Sequence, residues 1–339
     1  MDELSPIPIF EMTAGLWISK TLAITLEFDL YTILDDQPGL TFSQVAQILD
    51  LEQRPVELLM TACAACGLLQ RHGDGYTTTP LSSRYLVRGK PDYFGAWVEM
   101  IDKHDYPGWE HFGEAVRGNH PTAFDPTRQA SLFDERDPVV VQVFWEAMHA
   151  MSVSTARALG TAVDLSGNRR LLDVGGGGAT YDIELCRRYP DLVATVYDQP
   201  FVCDLTRPKV QEADLENRIS LQDGDFFAEP LPAGYDTILL SNTLHDWDEP
   251  DCRRILAKCF EALPQSGLLL ICELLVNDEK TGPPQAALMS LAMLVETWGR
   301  NYTAAEFTSW LLDTGFTDIQ VVPFTAPGAN SAILARKPR

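Results

Sequence analysis

The chain has 339 residues, 45% of them apolar, enough for about two domains with a sizeable core and too many for a disordered protein. Its 48 acids against 26 bases leave a formal net charge of −22, which argues against nucleic acid or an anionic membrane as the main partner. The seven cysteines are odd in number and mostly sit in apolar runs, so they read as reduced, buried thiols of a reducing compartment.

Residues 8–34 read as one helix, apolar nearly all round: Ile9, Phe10, Met12, Leu16, Ile18, Leu22, Ile24 and Leu26 recur with few charges. Such a helix needs burial by something else, and a second subunit is the natural candidate. No basic region precedes an apolar core here, and no apolar run of membrane-spanning length is expected, so a soluble cytoplasmic protein follows. Thr41 or Ser43 caps the next helix, Pro55 opens another that runs to Cys66, and Gly67 ends it. Cys63 and Cys66 fall inside this helical pattern without a second pair, so they read as small core residues and no metal is expected. Residues 68–79 then alternate around Gly73-Asp74-Gly75, a hairpin signal. Helix, helix, hairpin is a winged-helix pattern, usually a DNA-binding one. Segment 55–66 contains no base, however, and Glu52 and Glu57 flank Arg54, so dimerisation is favoured over a winged-helix regulator.

Residues 92–160 read as amphipathic helices rich in aromatics and methionine, among them Tyr106, Trp109, Phe144 and Met148. Core packing is the default for such residues, and a flat bound substrate would use the same types. From 165 onward strand and helix alternate, with strands expected at 170–174, 193–198, 218–222, 236–241, 267–273, 317–322 and 331–336, and helices at 248–263 and 303–314. The expected fold is therefore α/β, a doubly wound sheet. The chain divides into a winged-helix-like domain over 1–95, a helical linker over 96–160 and a Rossmann-like domain over 161–339.

Five groups fall at the ends of successive strands, where this architecture binds ligands. Asp173-Val174 closes the first strand and Gly175-Gly176-Gly177-Gly178 follows it, while Asp198 ends the second, 23 residues past Gly175. Glycine lets a backbone turn approach a nucleoside-bearing ligand, and a carboxylate at the second strand end can accept both ribose hydroxyls. Gly224-Asp225-Phe226 follows the third strand, where an acid can take an exocyclic amine and a ring can cover a purine. His245-Asp246-Trp247 follows the fourth, and Glu273 ends the fifth. Each has a bland reading as a turn former or solvated strand end; their coincidence on one rim does not.

Together with Asp198-Gln199-Pro200 and Gly299-Arg300-Asn301-Tyr302-Thr303, these motifs resemble the S-adenosylmethionine-dependent O-methyltransferases of small aromatic molecules. These include plant caffeate-type enzymes and bacterial antibiotic-pathway relatives, and the resemblance covers nearly the whole chain. It implies a class I methyltransferase fold, a homodimer joined through the N-terminal domain, and methyl transfer without metal from S-adenosyl-L-methionine, leaving S-adenosyl-L-homocysteine. By position it implies that Gly175 and Gly177 shape the loop around the donor, with Asp173, Gly224 and Ser241 beside it. Asp198 would take the ribose, Gln199 and Phe226 would flank the adenine, and Asp225 would bind its amine. His245 would be the general base, oriented by Glu273 and neighboured by Asp246. Tyr106, Trp109, Phe144, Met148, Met293, Trp298 and Asn301 would line the acceptor.

This chain departs from the family at three positions. Ala179 replaces a glycine, and Ser241 replaces a lysine of plant members. Asn301 stands where many members carry a second glutamate, which leaves His245 one expected carboxylate partner, Glu273. The alternative within enzymes is C-methylation of an activated aromatic ring or a 2-oxo acid by the same site.

Overall fold

Asp29 and Ala14 divide the run that periodicity predicts as a single N-terminal helix. In the computed structural model, which describes residues 4–123 and 138–339, Asp29 is left-handed (φ 53°), a conformation that a continuing helix cannot contain. A second break falls at Ala14, fifteen residues earlier, and three helices result: Ile7–Thr13, Gly15–Glu27 and Leu30–Asp36. The turn at Asp29 carries Leu30, Tyr31 and Leu34 into the core beside Leu26, Val45, Val56 and Met60. Outside that core, Ile9, Phe10, Met12 and Trp17 are each at least 60% exposed. A second expectation is also corrected. The helical run Ile7–Glu27, 21 residues of mean hydropathy 1.2, is long and apolar enough by length and composition to cross a membrane, because before Glu27 only Glu11 and Lys20 interrupt it.

The chain separates into two compact units, Met1–Tyr106 and Pro107–Arg339. In the first, strand β1 (Leu40–Thr41) leads into helix Phe42–Leu49, which Thr41 and Gln44 cap reciprocally. Helix Gln53–Ala65 follows, then the hairpin of β2 (Leu69–His72) and β3 (Gly75–Thr78), antiparallel in the order β1-β3-β2. Gly73 (φ 62°) makes the hairpin turn, so the helix–helix–hairpin order read from the sequence is present.

In the second unit, strands β4 (Arg170–Val174), β5 (Val193–Asp198), β6 (Ile219–Asp223), β7 (Thr237–Ser241), β8 (Leu268–Glu273), β9 (Thr317–Pro323) and β10 (Ser331–Arg336) form one sheet in the order β6-β5-β4-β7-β8-β10-β9. β4 to β8 are parallel, and β10 runs antiparallel to both β8 and β9. All seven strands lie where the sequence places them, with ends shifted by one residue at most. The central strands read as near-continuous apolar runs because both faces are covered. Leu171, Leu239 and Leu270 join one buried cluster with Leu159 and Leu185, while Leu172, Ile238 and Ile271 join the other with Ile255, Phe307 and Trp310. Caps fix the helices around the site. Asp248 accepts from Asp251 N–H at 3.0 Å to start Glu249–Ala262, and a Thr303–Glu306 capping box starts Ala304–Thr314. The strand order reverses between β4 and β7, so the crevice for a ligand opens at their C-terminal ends.

Candidate active site

The glycine turn after β4 has the backbone its sequence requires. Gly175 (φ 72°) and Gly177 (φ 53°) are left-handed, and a Cβ on Gly177 would meet the Trp145 ring at 2.5 Å. Asp198, half-buried at the end of β5, grips this turn. Its Oδ2 accepts Gly177 N–H at 2.9 Å and its Oδ1 accepts Gln199 N–H at 2.7 Å. Burial lifts its carboxyl to about 6 against the pull of those two amides, so it is ionised at neutral pH. Thr206 supports the turn from the next helix, donating to Gly177 O at 2.6 Å. Asp173 lies under the turn. Its fully buried carboxyl faces Asp182, and burial together with that neighbour holds it well above the usual carboxylate range.

The third rim group sits close by. Gly224 packs against the Tyr197 ring with no room for a Cβ, and its N–H donates to Asp198 O at 2.9 Å. Asp225 is exposed; its Oδ1 accepts Phe227 N–H at 2.7 Å. Phe226 lies 3.7 Å from where a Gly175 Cβ would stand, so its ring borders the glycine turn. Ser241, at the end of β7, is 7% exposed and uses its carbonyl to accept from Thr243 Oγ1 at 3.1 Å.

Beside them stands a histidine–carboxylate pair. His245 Nδ1 lies 2.6 Å from Glu273 Oε2. The other oxygen, Oε1, accepts Thr243 N–H at 3.1 Å and Leu244 N–H at 2.9 Å. Glu273 is thus clamped by the backbone of the very turn that carries His245. These two amides are parts of the site that residue types could not reveal. The same turn is a tight 3₁₀ one, Leu244–Asp246, and it folds Asp246 Oδ1 to 3.7 Å from His245 Nε2. The expectation of a single carboxylate partner is corrected accordingly: Asp246 is a second, and Glu296 adds its charge from helix Pro284–Glu296. Burial pulls the imidazole pKa down, but the charges of Glu273 and Asp246 outweigh it and lift it to about 9. Asp246 itself is pushed by burial to about 6, against the pull of His245.

The remaining candidates are placed unevenly. Gly299 packs against the backbone of His245, Asp246 and Trp247 with no room for a Cβ, which explains a glycine there. Asn301, 3% exposed, donates from Nδ2 to Leu274 O at 2.7 Å and so ties this segment to the residue after Glu273. Met293 is buried and Trp298 half exposed. Phe144 and Trp145 meet edge-on at 5.3 Å, Met148 is half-buried on the same helix, and Trp109 is tilted against Phe112 at 4.9 Å. Tyr106 belongs to the first unit, where Lys20 Nζ stands 4.3 Å from its ring centroid. Among the described residues no group of three His, Cys, Asp or Glu could hold a metal ion.

A glycine turn that admits no side chain, a strand-end carboxylate locked to it and a buried histidine–glutamate pair on one rim fit a nucleoside donor and an acceptor that loses a proton. The O-methyltransferase domain family matches residues 109–317, and the O-methyltransferase dimerisation domain matches residues 10–88. Among its relatives is the 3-hydroxy-5-methyl-1-naphthoate 3-O-methyltransferase of Streptomyces sahachiroi, 46% identical over 336 residues that cover 98% of this chain and 95% of that protein. The crystal structure of human N-acetylserotonin methyltransferase with S-adenosylmethionine superposes with a TM-score of 0.89, at 29% identity and covering 100% of this chain and 99% of that one. PigF with S-adenosylhomocysteine gives a TM-score of 0.84, at 26% identity and 98% and 100% coverage. The chain belongs to the S-adenosylmethionine-dependent O-methyltransferase family. It is a methyltransferase that uses S-adenosyl-L-methionine and carries the family's dimerisation domain.

Proposed function

We propose that this enzyme methylates a hydroxyl of a small, flat aromatic compound, with His245 as the general base. The observation that carries this reading is the clamped Glu273–His245 contact of 2.6 Å. Glu273 accepts the Nδ1 proton, so the neutral imidazole presents its Nε2 lone pair to the acceptor hydroxyl. An imidazole of pKa about 9 nearly matches a phenol of about 10, so the proton passes at little cost. The resulting imidazolium is stabilised by Glu273 and by Asp246, whose Oδ1 lies 3.7 Å from His245 Nε2. Bound S-adenosylmethionine supplies the electrophilic methyl group. Asp198 would hold its ribose and Gln199, Asp225 and Phe226 its adenine, while Asp173, Gly175, Gly177, Gly224 and Ser241 keep the surrounding backbone in shape. Trp109, Phe144, Met148, Met293 and Trp298 offer apolar surface for a ring, as would Tyr106, and Asn301 braces the segment that bears Met293 and Trp298. The naphthoate acceptor in the name of the Streptomyces sahachiroi relative makes hydroxylated naphthalenes the first acceptors to try.

The test is a cofactor-consumption screen over phenols, catechols, hydroxynaphthoates, hydroxyquinones and 2-oxo acids, with mass spectrometry locating the methyl. Transfer to oxygen of a hydroxynaphthoate or related phenol is the expected result. Methyl on carbon would establish the alternative chemistry.

We further propose a homodimer in the cytoplasm, formed through the exposed apolar helices Ile7–Thr13 and Gly15–Glu27. The dimerisation-domain match and the exposure of Phe10, Met12 and Trp17 support it. Light scattering should give about twice the mass of one chain at micromolar concentration, and removal of residues 1–27 should yield monomer or aggregate. A stable full-length monomer would contradict this.

A further inference from the structure

Lys258 carries no motif, yet its contacts converge on the donor side of the site. It is half-buried on helix Glu249–Ala262. Its ammonium donates to Phe226 O at 2.7 Å, Phe227 O at 2.9 Å and Glu229 O at 2.7 Å. An ammonium has three N–H donors, and one loop accepts all three. That loop follows β6 and carries Asp225 and Phe226. Its inner side is held by Asp225, whose Oδ1 accepts Phe227 N–H at 2.7 Å and Ala228 N–H at 3.3 Å. The turn therefore aims its carbonyl dipoles at one point, an arrangement that is unfavourable unless a cation stands there, and charge-assisted bonds of this kind are the stronger ones.

We propose that Lys258 is a positioning residue for the cofactor: its ammonium fixes the Asp225–Glu229 loop so that Asp225 and Phe226 meet the adenine ring. This rests on the assignment of Asp225 and Phe226 to the adenine. His245 is held separately, by Glu273 and the turn amides, so Lys258 acts on cofactor binding and leaves the proton-transfer step alone. The loop does touch the catalytic turn, through Phe227 against Trp247 at 4.6 Å. That contact joins side chains which both remain when Lys258 is changed.

The experiment measures S-adenosylhomocysteine affinity by calorimetry for the wild type, Lys258→Met, Lys258→Gln, Lys258→Arg, Asp225→Ala and Phe226→Ala, with melting temperatures of each apoprotein. Methionine keeps the stem and removes the charge; glutamine gives a second neutral variant should the first not fold. Lys258→Met is expected to weaken binding by about 10-fold, the scale of one good charge-assisted bond, and Lys258→Arg, which keeps the charge on a planar fork that cannot meet three carbonyls at one point, to fall between Lys258→Met and wild type. With an acceptor from the screen, KM for S-adenosylmethionine rises in Lys258→Met by a like factor while kcat at saturation holds. A lysine that serves stability alone would lower the apoprotein melting temperature and leave affinity and KM as in wild type; that result overturns the proposal. Unchanged affinity in Asp225→Ala and Phe226→Ala would remove the adenine assignment and the proposal with it. Loss in those two with none in Lys258→Met or Lys258→Gln would overturn the role of Lys258 alone.

Discussion

His245→Gln and His245→Ala should bind S-adenosylhomocysteine as the wild type does and lose turnover by roughly 100-fold or more, the scale of a positioned general base. Two observations set this apart from a general loss of fold. His245 touches the glutamate and the turn that carries it, while the donor residues are held by the glycine turn and Asp198. Its side chain is also 14% exposed, so truncation leaves a small gap at the edge of the core. Glu273→Gln should lose less. The amide still has one oxygen for His245, but it then cannot also accept from the Thr243 and Leu244 amides as the carboxylate does. The pH profile carries the sign. Because burial is outweighed by Glu273 and Asp246 and the imidazole pKa rises to about 9, the neutral form that accepts the proton is the minor one at neutral pH. Turnover should therefore climb as pH rises through about 9 and fall steadily below it. Glu273→Gln removes a raising charge, so its profile should shift to lower pH. A His245 variant with near-normal kcat on the true acceptor would show that proximity alone drives transfer.

Asp198→Ala is expected to weaken S-adenosylhomocysteine binding by about 1.5–3 kcal/mol, or some tenfold to a hundredfold in Kd, measured by calorimetry. The structure gives two reasons. The carboxylate that would accept the ribose hydroxyls is lost, and so is the bond that holds Gly177 N–H at 2.9 Å. The glycine turn then loses its anchor as well as its neighbour. Burial raises the Asp198 carboxyl to about 6, so wild-type affinity should be level above pH 7 and decline as pH falls through about 6, where the protonated acid accepts less well. The Asp198→Ala variant should lack that decline. An unchanged Kd would take Asp198 out of the cofactor site.

Much of this was legible in the residues because the relevant signals are local. An apolar run bounded by turn residues is a buried strand whatever surrounds it, which is why Arg170–Val174, Val193–Asp198 and Leu268–Glu273 fall where the sequence puts them. Glycines that must be left-handed declare themselves where a turn leaves a strand, as Gly175 and Gly177 do. The rim groups were legible for the same reason: parallel strands joined by helices put all their C-terminal ends on one side. Local signals failed where a single backbone torsion decided the outcome. Nothing in Phe28-Asp29-Leu30 announces that Asp29 turns left-handed, because an aspartate inside an apolar pattern serves equally as a helix residue.

What the sequence determined by itself was the doubly wound sheet, the identity of the residues on its rim and the family those residues define. Tertiary structure alone decided how they work on one another. Glu273 and His245 are 28 residues apart, and only the pairing of β7 with β8 in register brings the second strand's end beneath the turn that follows the first. The backbone amides of Thr243 and Leu244 have no side-chain signature, since every residue but proline carries one. The same holds for the three carbonyls around Lys258. The second carboxylate at His245 comes from Asp246 because the 3₁₀ turn Leu244–Asp246 folds it back, which no spacing rule reports. Composition and periodicity specify which surfaces are buried and which groups share an edge; hydrogen-bond direction and the charge felt by an imidazole depend on distances of a few ångströms, which only the packed chain sets.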